Sequence, residues 1–284
     1  MKGPFATPLS ALISALLFGP LFIQPALAAT PSDYLIQSAV YQWYGELDLG
    51  IQPKATVNTD LAEYPTGKPV AGAHQILAID QIAEENGRLL LEVELEYQAR
   101  DAGPGEGRYL IQTLTLENSD SAPQAGPTLI ASETQVNEID ELSGQFRPAA
   151  EQNLIRALLF RWTQALDYPG SQALTSMLLP EASFTSPEPG QLSPVSYQAA
   201  LQALNNQNSR RAIKNLSIGT AQADGSYPVS LEYQWSAINQ WGETELARVG
   251  VSMTVLVRDG RALIAHYQSQ YLPPVTDPGA EIRC

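Results

Sequence analysis

The chain is predicted to be an α+β protein of two repeated domains, each with N-terminal helices packed on one face of a curved antiparallel sheet. Three observations carry that expectation. First, the stretch Tyr41–Asp48 returns at Phe160–Asp167 at an offset of 119 residues, with Tyr41/Phe160, Trp43/Trp162, Leu47/Leu166 and Asp48/Asp167 in register. Second, Leu95–Gln98 returns at Leu231–Gln234 and Leu129–Ala131 at Leu263–Ala265, in the same order and at offsets of 136 and 134. The second half thus carries about 17 extra residues between its tryptophan helix and its strands. Third, the hydrophobic spacing in each half turns once, from a helical period to a period of two. A repeat of this length marks a duplicated domain.

Taken in order, residues 32–49 are expected to be a helix. Ile36, Val40, Trp43 and Leu47 line one face, Ser32 stands at a capping position and Gly50 follows the end. Gly45 inside it costs about 1 kcal/mol of helix propensity, so tertiary packing must hold that turn. Residues 51–72 have no clean period and are expected to be loop with one short helical turn at most. Leu91, Val93, Leu95 and Tyr97 then alternate with polar residues, the pattern of a strand with one wet face. Further strands are expected at 109–117 and 128–136, and Glu138–Pro148 is the best place for a boundary.

In the second half Pro148 can open a helix carrying Leu154, Leu158, Trp162 and Leu166, which Pro169-Gly170 stops. A short second helix is expected at Gln172–Leu179 and a third after Ser193-Pro194, with Tyr197, Leu201 and Leu204 on its face. Strands follow at about 213–220, 227–236, 245–258 and 261–272. Val249, Val251, Met253, Val255 and Val257 form the clearest buried stripe, and Asp259-Gly260 is a type I′ hairpin signal. The organisation expected is therefore a first domain at 29–143, a second at 148–272 and a loose tail at 273–284.

Residues 1–28 carry the marks of a signal peptide: one charge at Lys2, an apolar core at Leu9–Ile23 and a small-x-small ending at Ala26–Ala28. Gly19-Pro20 interrupts that core, which falls short of the ~20 residues a spanning helix needs. Cleavage after Ala28 and a periplasmic or secreted location are expected. Cys284 stands alone, which excludes a disulfide within the chain. Loss of Lys2 leaves 15 basic residues against 30 acidic ones. That balance argues against nucleic acid or an anionic membrane as partner. The two histidines, His74 and His266, are too far apart for zinc-ligand spacing, and no metal or cofactor is implied.

The Arg161-Trp162 helix ending in Ala165-Leu166-Asp167, and the terminal run Arg258–Ser269, resemble nuclear-transport-factor-2-like domains. These are the cones shared with SnoaL-like and polyketide-cyclase-like proteins. Ala262 departs from the usual Trp, Gln268 from a usual His, and the first half has Ser132 where the second has His266. The resemblance implies a conical cavity between sheet and helices and a tendency to pair sheet on sheet, within one chain or in a homodimer.

Two classes of function follow. In a binding module for a small apolar ligand or an exported protein, Trp162, Tyr233, Trp235 and Tyr267 would meet the ligand. In an acid/base enzyme of the cyclase or isomerase type, Asp167 or His266 would be the base. Tyr233 or Tyr267 would then donate to an oxyanion. A structural or surface role is preferred for His266, which lacks an evident partner, and an exposed one for His74, which lacks a counterpart in the repeat. Asp48 and Asp167 end equivalent helices against the dipole, so a hydrogen bond to the following turn is expected for each. Trp43 and Trp162 are expected as core anchors, while Tyr233 and Trp235 can line a pocket or plug it. Trp241, beside Gly242, is expected exposed at a hairpin. With no assembled acid/base set, the binding module is the preferred reading.

Overall fold

The computed structural model describes residues 33–51, 58–59, 72–99, 107–117, 126–137, 151–188, 190 and 192–274. The signal peptide and its cleavage site, the boundary at 144–147 and Cys284 lie outside them.

The helix α1 (Asp33–Asp48) is followed by β1 (Asn58–Thr59), β2 (Gly72–Glu85), β3 (Arg88–Ala99), β4 (Arg108–Glu117) and β5 (Thr128–Asn137). Then come α2 (Glu151–Asp167), a 3-10 turn at Leu174–Met177, β6 (Leu178–Thr185) and α3 (Pro194–Leu204). The chain continues through β7 (Gln207–Ile218), β8 (Ser226–Ile238), β9 (Thr244–Arg258) and β10 (Arg261–Leu272). These strands make two five-stranded sheets, β1-β5-β4-β3-β2 and β6-β10-β9-β8-β7, which follow the same path. Only the edge pairs β1–β5 and β6–β10 are parallel. The protein is an α+β fold with helices packed on antiparallel sheets.

Each helix buries the stripe its sequence presents. Ile36, Val40, Trp43 and Leu47 of α1 meet Leu91, Val93 and Leu95 on the first sheet. Leu154, Leu158, Trp162 and Leu166 of α2 meet Val251, Met253 and Val255 on the second. Helix α3 starts where Ser193 Oγ accepts the Ser196 N–H, with Pro194 in its first turn, and ends at left-handed Asn205. Asp259 and Gly260 both take positive φ, 51° and 72°, as a type I′ hairpin requires. Asn86 and Gly87 do the same at 54° and 75° and turn β2 into β3. That second hairpin carries the same dipeptide chemistry as the first.

Two local expectations change. The short helix expected at 172–179 is a 3-10 helix confined to Leu174–Met177, which leads into β6, whose backbone groups pair with the open edge of β10. In the stretch expected to be loop, Asn58 and Thr59 add a two-residue edge to β5.

The halves join helix to helix, where sheet on sheet was expected. Tyr41 stacks on Phe160 with ring centroids 5.6 Å apart, and Ser38 Oγ donates to the Ala157 carbonyl at 3.0 Å. Each of these is a pair of residues that the sequence repeat aligns, so the two antiparallel helices cross about a local twofold. The crossing explains Gly45. A Cβ there would lie 2.6 Å from the Leu154 side chain and 2.9 Å from its backbone nitrogen. Close approach of the helices is what offsets the lost propensity.

Candidate functional site

The second cone holds a cluster of buried aromatic side chains. Trp162, Tyr233 and Tyr267 are fully buried, and the Tyr267 ring packs on Trp162 at 4.9 Å and stacks on Phe184 at 5.0 Å. Tyr197 closes the cluster against Phe184 at 5.7 Å. The Tyr233 hydroxyl shares a 3.0 Å hydrogen bond with Thr163 Oγ1, and burial pushes the Tyr233 and Tyr267 phenols well above their ordinary range. These three aromatic residues belong to the buried core between helix and sheet. Of the four expected ligand contacts, Trp235 borders an open cleft.

His266 faces away from this cluster. A bulge between Ile264 and His266 shifts the alternation of β10, so Ile264, Tyr267 and Ser269 point inward while Gln268 and Gln270 point out with His266. That shift is why neither face of the strand is uniformly apolar in sequence. His266 Nδ1 lies 2.6 Å from Ser183 Oγ on the neighbouring edge strand. Among the described residues it shares no hydrogen-bond partner with Asp167.

Asp167 is engaged on every side. Its carboxylate meets the Arg211 guanidinium, the Arg211 backbone N–H at 2.7 Å, the Ser209 hydroxyl at 2.8 Å and the Tyr34 hydroxyl at 2.8 Å. The Tyr34 oxygen in turn accepts the Arg211 N–H at 2.9 Å. Burial, and then the Asp167 charge, push the Tyr34 phenol well above its usual range. Arg211 also sits over the Trp235 ring, 5.5 Å from its centre, and Trp235 Nε1 donates to Ser209 Oγ at 2.9 Å.

The first half has its own version. Asp48 Oδ1 lies 2.6 Å from His74 Nδ1, and Asp48 Oδ2 accepts from Asn153 Nδ2 at 2.9 Å. Asn153 also donates to the His74 carbonyl at 2.8 Å. His74 is therefore buried, not exposed. Its register on β2 sets it opposite Tyr97, and its ring lies between Tyr97 and Tyr44 at 4.6 and 5.0 Å. Both aspartates meet a buried guanidinium or imidazole delivered from the sheet, and for Asp167 this takes the place of the expected bond to the next turn. Tyr34 and Asn153, which the repeat aligns, each reach across to the other half's aspartate. Pattern reading missed this because no spacing in sequence links a helix end to a strand start.

Two open clefts flank Asp167. One, of about 450 Å³, runs from Tyr168–Ser171 past the end of α3 to Trp235. The other, of about 520 Å³, lies between the start of α1, Phe160 and residues 208–213 of β7. Tyr168, Ser209 and Arg211 border both, and the Tyr168 ring is 49 % exposed between them. The sequence signals were an aromatic directly after the helix and the amide-rich run Asn205–Ser209. Trp241 is exposed at its hairpin as expected. Among the described residues no group of three His, Cys, Asp or Glu is placed to hold a metal, and no helix is long and apolar enough to cross a membrane.

No family model matches the chain, and no curated protein matches it. Solved structures do resemble part of it. A nuclear-transport-factor-2-like protein with a cystatin-like fold from Novosphingobium aromaticivorans aligns at 12 % identity over 47 % of this chain and 90 % of its own, with a TM-score of 0.37. An uncharacterized protein with a cystatin-like fold from Caulobacter vibrioides aligns at 14 % identity over 47 % of this chain and 100 % of its own, TM-score 0.36. ActVI-ORFA from Streptomyces coelicolor aligns at 14 % identity over 43 % of this chain and 98 % of its own, TM-score 0.36. Each alignment covers less than half of this chain.

Proposed function

We propose that the protein is an exported, non-catalytic binding module built from a duplicated cone domain, and that its ligand enters at the mouth of the second cone. The observation that supports this reading is the state of Asp167. A general base must have a lone pair facing a substrate proton. Here the carboxylate is wholly buried and held by four donors, three from its own half and one from Tyr34. An open cleft lies around Tyr168 and Trp235. Its size falls within the ~300–1,000 Å³ typical of small-molecule sites.

The test is a thermal-shift screen of the full chain against neutral small molecules and candidate exported proteins, repeated on Tyr168→Ala and on His266→Ala. Ligands that stabilise the native chain and Tyr168→Ala unequally, but leave His266→Ala like the native chain, support the reading. Turnover of a carbonyl compound that is abolished by His266→Ala and indifferent to Tyr168→Ala would replace it with the cyclase or isomerase alternative.

A further inference from the structure

We infer that the twin clefts bind a short neutral saccharide, with the Tyr168 ring as the platform that adjacent sugar units share. The inference rests on the binding reading above and adds the ligand's chemical class. Its first support is the lining. Asn205 and Asn206 border one cleft and Gln37 and Asn208 the other, and none of these four side-chain amides makes a hydrogen bond to the protein. An amide offers two donor hydrogens and an accepting oxygen on one plane. That is the complement of a hydroxyl, which donates and accepts at one atom.

The second support is charge. Asp167 is already paired with Arg211, and Asp33 with Arg210 at 3.7 Å, so the clefts present balanced charge although the chain as a whole carries −14. An anionic ligand would meet the field of an acidic protein, with a carboxylate beside each guanidinium of the clefts, although the Arg210 side chain is largely exposed. A wholly apolar ligand would cover these amides and return no hydrogen bonds to them. A neutral sugar avoids both difficulties. Its C–H face packs on an aromatic ring and its rim of hydroxyls meets the amides. Position completes the case, because the half-exposed Tyr168 stands on the ridge common to both clefts, where a ligand longer than one unit must cross.

The experiment titrates cellotriose, chitotriose, maltotriose, xylotriose and mannotriose into the full chain. Backbone amide chemical shifts are followed, with the neutral fluorophore N-phenyl-1-naphthylamine as the apolar probe. At least one trisaccharide is expected to move the signals of Tyr168 and Asn206. Tyr168→Phe should keep that affinity, and Tyr168→Ala and Asn206→Ala should each lower it by about tenfold or more. Tyr168 is half exposed, so its removal leaves the core intact, and unchanged shifts elsewhere check this. If the fluorophore occupies the clefts and no trisaccharide does, the saccharide inference is overturned while the binding reading stands. If neither probe moves these signals, both are overturned. Trisaccharide binding that moves signals only outside the clefts also overturns the inference.

Discussion

At the end of α1, Asp48 faces a histidine; at the equivalent end of α2, Asp167 faces an arginine. The need is the same in both places. A carboxylate in the last helical turn opposes the dipole and, once buried, requires donors from elsewhere. Both sheets deliver them from the first strand of their main meander, using a side chain and a backbone N–H together. The surroundings then diverge. His74 is enclosed between Tyr44 and Tyr97, whereas Arg211 borders two open clefts. One lock holds a core and the other holds a core while presenting a surface. The contrast teaches that one helix-end pattern can be enclosed in one half and border open clefts in the other.

The largest effect that would break the comparison is removal of an aspartate. Asp167→Ala leaves the Arg211 guanidinium buried without its counter-charge, and about 3–5 kcal/mol of stability is expected to go with it. Urea unfolding of the full chain measures this. Asp48→Ala should cost less, because an imidazole can stay neutral when its partner is gone. Equal losses would show that the identity of the aspartate's partner does not matter to the lock.

Next in size is the helix crossing on which both locks depend. Gly45→Ala pushes a methyl group against Leu154 at 2.6 Å, and part of that contact is backbone, which cannot swing aside. A loss of about 1–3 kcal/mol is expected from overpacking, despite the gain in helix propensity. A stabilised variant would mean that the helices stand further apart than the crossing requires.

Much of this was legible in the amino-acid order. The Ile36–Leu47 and Leu154–Leu166 stripes, the Ser193 cap and the Asp259-Gly260 turn are local, because each is written within a few residues of itself. The locks are not. Asp48 and His74 are 26 residues apart, and Asn153 a further 79, so their meeting depends on how the strands return and how the helices cross. The inward face of β10 was hidden for another reason, since one bulge before His266 reverses the alternation that a reader counts. Trp162, Tyr233 and Tyr267 are buried on the inner surface of a cone. Whether that inner surface encloses space is a matter of summed side-chain volume, which periodicity does not report.

The two locks should also part company in alkali. Tyr97, beside His74, is pushed up to about 12 by burial and then by the Asp48 charge. The same two causes push Tyr34 higher still in the other lock. A folded value raised above the unfolded value of about 10 gives stability that is complete below pH 10 and lost as pH rises through the folded value. Loosening is therefore expected to begin in the first half, near pH 12. Hydrogen exchange across β2 and β3 checks this against β7, and Tyr97→Phe should delay it. Simultaneous opening of both sheets would show that the halves do not respond separately.

The smallest effect concerns how far the locks sense each other through the helices. Tyr34 ties the start of α1 to the end of α2, and Asn153 ties the start of α2 to the end of α1. Tyr34→Phe removes a hydroxyl that donates to Asp167 and accepts from Arg211, and Asn153→Ala removes two donated bonds. Each alone should cost about 1–3 kcal/mol, the range for buried groups that lose their partners. The ties sit at opposite ends of one helix pair, about 20 Å apart at 1.5 Å per residue. If each acts only on its own end, the double variant should lose the sum of the two within about 0.5 kcal/mol. Suppose instead that cutting one tie already lets the halves part. The second cut then removes nothing, and the double variant falls short of the sum by more than that margin. Additivity would mean that the Tyr41–Phe160 stack and the Gly45 crossing hold the helices together without either tie, leaving each lock to the sheet it serves.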